Sequence, residues 1–170
     1  MNNHSLRYSI TASVLALLAV FCTRTYAQRT SSAVQAPLPS PENSAIPAAR
    51  LLQPEQLVQI LHSSSGEKPL ILQVGSHLFY AQAHIPGSEY AGAAGGHSGL
   101  LALRERVKNL DRSEFLLIYC GCCPWNKCPN IRPAYQQLIS MGFTRVKVLY
   151  LANNFGTNWV SMGYPVEKGS

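Results

Sequence analysis

Four of the chain's five cysteines fall within nine positions: Cys120, Cys122, Cys123 and Cys128 in the stretch CGCCPWNKC, residues 120–128. Sulfur at this density supports three chemistries. A thiolate can attack an electrophilic sulfur while a neighbouring thiol resolves the product. Two thiols can close a structural disulfide around the loop, Cys123 with Cys128 for instance, and four cysteines allow three complete pairings. Four thiolates can also hold a soft ion such as Cu(I) or Zn, although C-x-C-C-x4-C is not the paired C-x2-C of zinc ribbons and fingers. No C-x-x-C-H string is present, so a c-type haem is not indicated.

The elements around the cluster decide where this chemistry sits. The apolar run Phe115-Leu116-Leu117-Ile118-Tyr119 predicts a buried strand that ends at Cys120. Beyond the cysteines, Ile131, Ala134, Tyr135, Leu138 and Met141 recur at helical spacing up to Gly142. Asn130 is placed to cap that helix, and Pro133 is tolerated in its first turn. The cluster therefore runs from the carboxyl end of a strand to the amino end of a helix. Unpaired N–H groups and partial positive charge there favour thiolate over thiol. Lys127 and Arg132 add cationic charge nearby.

The rest of the chain supplies more elements of the same two kinds. Pro54 opens a helix carrying Leu57, Ile60 and Leu61 on one face, and residues 70–74 form a continuous apolar strand. His84-Ile85-Pro86-Gly87 reads as a turn, residues 91–96 as a small-residue loop, residues 100–107 as a helix and residues 146–150 as a third strand. Alternating helices and strands predict an α/β fold with a parallel sheet joined by right-handed crossovers. Ligands of such sheets bind at the carboxyl ends of the strands, where the cysteines lie. His84 is expected in a structural turn, His97 in solvent, Trp125 packed against the loop and Trp159 in the core.

With 170 residues and 46% hydrophobic content, the chain has the apolar material for one ordinary core. Residues 1–27 read as a secretory signal, with Arg7 before the uncharged apolar run 10–22 and cleavage expected after Ala27. Cys22 leaves with it, since the bulky Phe21 before it does not suit lipidation. The apolar run is too short for a stable membrane anchor. Residues 28–49, rich in Ser, Pro and Ala, read as a disordered linker, and residues 50–170 as a single domain. Removing Arg7 and Arg24 with the leader lowers the formal net charge from +6 to +4, without a basic run, so nucleic acid is not an expected partner. A periplasmic or secreted location follows, in which disulfides are permissible.

In order along the chain, the strand 70–74, HIPGS at 84–88, LLIYC at 116–120, LISMGFTRVKVL at 138–149 and NFGTNWVSMGYPVE at 154–167 resemble a rhodanese-like sulfurtransferase domain. The resemblance implies a central parallel sheet flanked by helices on both faces, and a persulfide carried on Cys120. It places Gly121, Cys122, Cys123, Trp125, Lys127 and Arg132 around the substrate, a small anionic sulfur donor or a protein thiol, with no cofactor. Cys122, Cys123 and Cys128 are then resolving or disulfide-forming thiols. The alternative is a non-enzymatic redox or metal-binding module that holds Cu(I) or Zn on Cys120, Cys122, Cys123 and Cys128. The chain departs from the family in two places: Gln73-Val74-Gly75 carries neither the Asp nor the Arg often found there, and the loop after Cys120 is longer.

Overall fold

The computed structural model describes residues 46–169. The expected signal, Cys22 and most of the expected linker lie outside the described residues. The elements are β1 (Leu51–Leu52), α1 (Pro54–His62), β2 (Leu70–Gln73), α2 (His77–Gln82), β3 (Glu89–Tyr90), α3 (His97–Val107), β4 (Leu116–Tyr119), α4 (Ile131–Ser140), β5 (Val146–Leu149) and α5 (Phe155–Asn158). Five strands form one sheet in the order β1-β5-β4-β2-β3, every pair parallel.

The sheet is covered on both faces, which explains why β4 reads as an unbroken apolar run. Along β4, Leu116 and Ile118 face one way and Leu117 and Tyr119 the other, all within 1% of complete burial. Leu116 and Ile118 pack with Leu72, Val74, Val146 and Val148 beneath α3 and α4, through Leu103, Val107, Ala134 and Leu138. Leu117 and Tyr119 pack with Ile71 and Leu149 against Leu57 of α1, Phe155 of α5 and Trp159. Each fully buried Leu or Ile contributes about 1.5–3 kcal/mol to this arrangement. Cys120 continues the alternation of β4 and so turns toward the layer that holds α4.

Local chemistry sets the ends of the helices. Pro54 occupies the first turn of α1, and Gln56 Oε1 accepts the Gln53 N–H at 2.8 Å. Gly142, at φ +89°, ends α4 in the left-handed conformation while its N–H donates to the Ile139 carbonyl.

Several expectations need correction. Leu51-Leu52, ahead of the helix that Pro54 opens, is an additional edge strand, paired with Val148 and Leu149 of β5. Residues 46–49, assigned above to the linker, belong to the folded unit: Ile46 is buried, and Lys147 Nζ donates to the Ala49 carbonyl at 2.7 Å. The six-residue α2 and the two-residue β3 are additional elements, too short to show a hydrophobic period. Among the described residues no helix is long and apolar enough to cross a membrane.

Candidate functional site

The chain moves from β2 to β3 on one side and from β4 to β5 on the other, so the sheet's direction of winding reverses between β2 and β4. That is where an open parallel sheet leaves a crevice at its carboxyl edge. Gly75 follows β2 and Cys120 follows β4 at this point. A Cβ on Gly75 would stand 2.8 Å from Cys120 Sγ, so only glycine leaves the sulfur its space. Gly121 is equally constrained, since its Cβ would meet Phe155 Cβ at 2.7 Å. Its carbonyl accepts the Phe155 N–H at 3.1 Å, fixing the base of the loop to α5.

The loop is tied to the chain that follows β5. Trp125 lies in the 3-10 turn Trp125–Lys127, donates its N–H to Ala152 at 3.1 Å and meets Tyr150 edge-on at 5.0 Å. Cys120 Sγ lies 3.3 Å from Cys122 Sγ, which lies 3.4 Å from Cys123 Sγ. These three sulfurs fall within 4.8 Å of one another. Cys120 is only 4% exposed, whereas Cys122, Cys123 and Cys128 are half-buried. All four are free thiols, with no bridge between any pair.

Asn130 organises the cluster, and its role differs from the expected one. Its side chain makes no cap to α4. Instead Oδ1 accepts the Gly95 N–H at 2.7 Å, and Nδ2 donates to Cys120 Sγ at 3.3 Å and, more weakly, to Cys122 Sγ at 3.8 Å. The Gly95 contact fixes which end of the amide faces sulfur. Neither Asn130 nor Gly75 stands out in the sequence as a site residue. The only signals were a polar residue at a helix start and a glycine after a strand.

The thiols differ in how readily they ionise. Cys128 is lowered to about 6, first by the Cys120 thiol, then by the N–H groups of Asn130 and Ile131 at the start of α4, against the opposing effect of burial. Cys120 is raised well above the ordinary thiol range, first by Cys128 and then by burial. Cys123 is raised to about 12, with burial the largest cause. The start of α4 thus favours thiolate at Cys128.

The other residues singled out from sequence have varied placements. Lys127 and Arg132 are exposed, outside the sulfur cluster. His84 is buried and stacked on Tyr80 at 4.0 Å, its Nδ1 2.9 Å from the Tyr80 carbonyl, in keeping with a structural turn. Trp159 is fully buried in the core beside α5, and His97, the first residue of α3, is exposed.

No family model matches the chain, and no curated protein matches it. Among solved structures it is similar to the crystal structure of the Alr3790 protein from Anabaena sp., at 22% identity over 69% of this chain and 92% of that one, with a TM-score of 0.52. The solution structure of the rhodanese-like domain of the Alr3790 protein aligns at 21% identity over 70% of this chain and 79% of that one, with a TM-score of 0.51. The chain has a rhodanese-like fold. The BH2092 protein from Bacillus halodurans is also similar, at 20% identity over 69% of this chain and 75% of that one, with a TM-score of 0.51. In this rhodanese-like domain the cysteine-rich loop after β4 holds all four thiols of the described residues.

Proposed function

We propose that this domain is an exported sulfurtransferase, periplasmic or secreted once residues 1–27 are removed, which moves sulfane sulfur through a persulfide on Cys120. The observation that supports it most is the seat of Cys120 Sγ at the β2–β4 crevice, beside the bare Gly75 and within 3.3 Å of the Asn130 amide donor. With thiosulfate as donor, the Cys120 proton passes to Cys128 and the Cys120 thiolate attacks the outer sulfur. The S–S bond of thiosulfate breaks, and sulfite leaves with the electron pair. Lys127 and Arg132, exposed near the ends of the loop, attract the anionic donor, and a protein thiol or other nucleophile accepts the sulfur. Reduced, desalted protein mixed with thiosulfate is expected to release one equivalent of sulfite per chain. Failure of fully reduced protein to release sulfite overturns the proposal.

A second reading is favoured by the three sulfurs of Cys120, Cys122 and Cys123 lying within 4.8 Å of one another. Three thiolates at this separation suit a Cu(I) ion, and Cys128 could complete a tetrahedral Zn site. Protein reduced and loaded without air should then retain one equivalent of Cu(I) against a competing chelator. Loss of all copper to the chelator removes this reading.

A further inference from the structure

Resting on the sulfurtransferase reading, we infer that the sulfur taken up on Cys120 is released as hydrosulfide inside the loop, through attack by Cys122 on Cys120 Sγ. The domain then acts as a sulfane-sulfur reductase and not only as a carrier. Two observations lead there. Cys122 Sγ stands 3.3 Å from Cys120 Sγ, within the range of a near-attack approach. The Asn130 amide, oriented by Gly95, donates toward both sulfurs and holds them as a pair.

The same distances argue against simple relay of the sulfane sulfur from Cys120 to Cys122. A sulfur passing between the two must lie in line between them, with each S–S bond about 2 Å long, which requires a separation of roughly 4 Å or more. At 3.3 Å no sulfur fits between them, and the direct Cys120–Cys122 bond is the shorter movement.

The Cys122 sulfur bonds to Cys120 Sγ, and the bond from Cys120 Sγ to the sulfane sulfur breaks. Both electrons of that bond leave with the sulfane sulfur, and the Cys122 proton completes it as hydrosulfide. Two cysteines are oxidised to one disulfide while one sulfane sulfur is reduced to sulfide. An external dithiol then reduces the disulfide by exchange and restores the cluster.

The test is a single turnover without air on reduced, desalted protein mixed with thiosulfate. Sulfite and sulfide are both assayed, and intact mass and peptide mapping follow the chain. Wild-type protein is expected to release one equivalent of each anion and to lose the mass of two hydrogens as a Cys120–Cys122 disulfide, which dithiothreitol reverses. Cys122→Ser should keep the mass of one added sulfur and release less than a tenth as much sulfide. Wild-type protein that releases sulfite but retains the sulfur, with no sulfide, overturns this inference and leaves the sulfurtransferase standing. A disulfide mapped to another pair, or sulfide from Cys122→Ser equal to wild type, overturns the role of Cys122. Absence of sulfite from wild-type protein overturns both readings.

Discussion

Cys120→Ser is expected to lower sulfite release from thiosulfate by about a thousandfold or more, because a serine hydroxyl cannot carry a persulfide. The variant still contains Cys128, whose thiol is lowered toward the thiolate form. It therefore separates reactivity toward any electrophile from sulfur transfer at the crevice. Alkylation by iodoacetamide, mapped by peptide mass, should fall first on Cys128 in the wild type. A lowered thiol is protonated below its pKa and thiolate above it, so labelling of Cys128 should rise through about pH 6 and level off above pH 7. Cys123, held up to about 12, should label only in strong base. In Cys120→Ser the hydroxyl can still donate toward Cys128, and the labelling midpoint should stay near the wild-type value. In Cys120→Ala that donor is gone, and the midpoint should move up. Sulfite release by Cys120→Ser at the wild-type rate would transfer the nucleophile's role to Cys128.

Gly99→Ala is expected to destabilise the domain by about 3–5 kcal/mol, in the upper tail of single substitutions. A Cβ at this position in α3 would lie 1.9 Å from the Ala93 carbonyl oxygen and 2.2 Å from its carbon. Both are backbone atoms, so rotation of a side chain gives no relief. Gly92, at φ +95°, lies against the same helix, and a Cβ there would come within 2.9 Å of the Gly99 Cα and carbonyl oxygen. At roughly 4 °C per kcal/mol for a domain of this size, the melting temperature should fall by about 10–20 °C, measured by circular dichroism in reductant. A fall of less than about 4 °C would show that the loop and α3 can separate at little cost. Because Gly95, in the same loop, orients Asn130, sulfite release should fall as well.

These substitutions mark where a sequence is informative and where it is silent. β2, β4, β5, α1, α3 and α4 were legible because the helices are long enough to show a period, and because a doubly covered sheet keeps its longer strands mostly apolar. The place of Cys120 followed from the strand that precedes it. β1 and β3 have two residues each and owe their existence to the neighbours they pair with. Asn130 was assigned a local task because capping is a local rule, whereas its partner Gly95 lies 35 residues away. The order of ionisation was hidden for a similar reason. A helix start favours thiolate at any cysteine near it, and only the folded loop puts Cys128 at the N–H groups of Asn130 and Ile131.

Trp125 gives the loop an optical signal of its own. The chain has two tryptophans, and the other, Trp159, is fully buried in the core with its Nε1 donating to the Pro165 carbonyl. Trp125 is half-buried in the cysteine loop, wedged edge-on against Tyr150, and packs in the same apolar cluster as Cys122, Cys123 and Cys128. Emission from Trp159 supplies a steady background, while that from Trp125 responds to charge and bonding changes at the neighbouring sulfurs. Loading, disulfide closure and reduction of this site can thus be followed in real time on unlabelled protein.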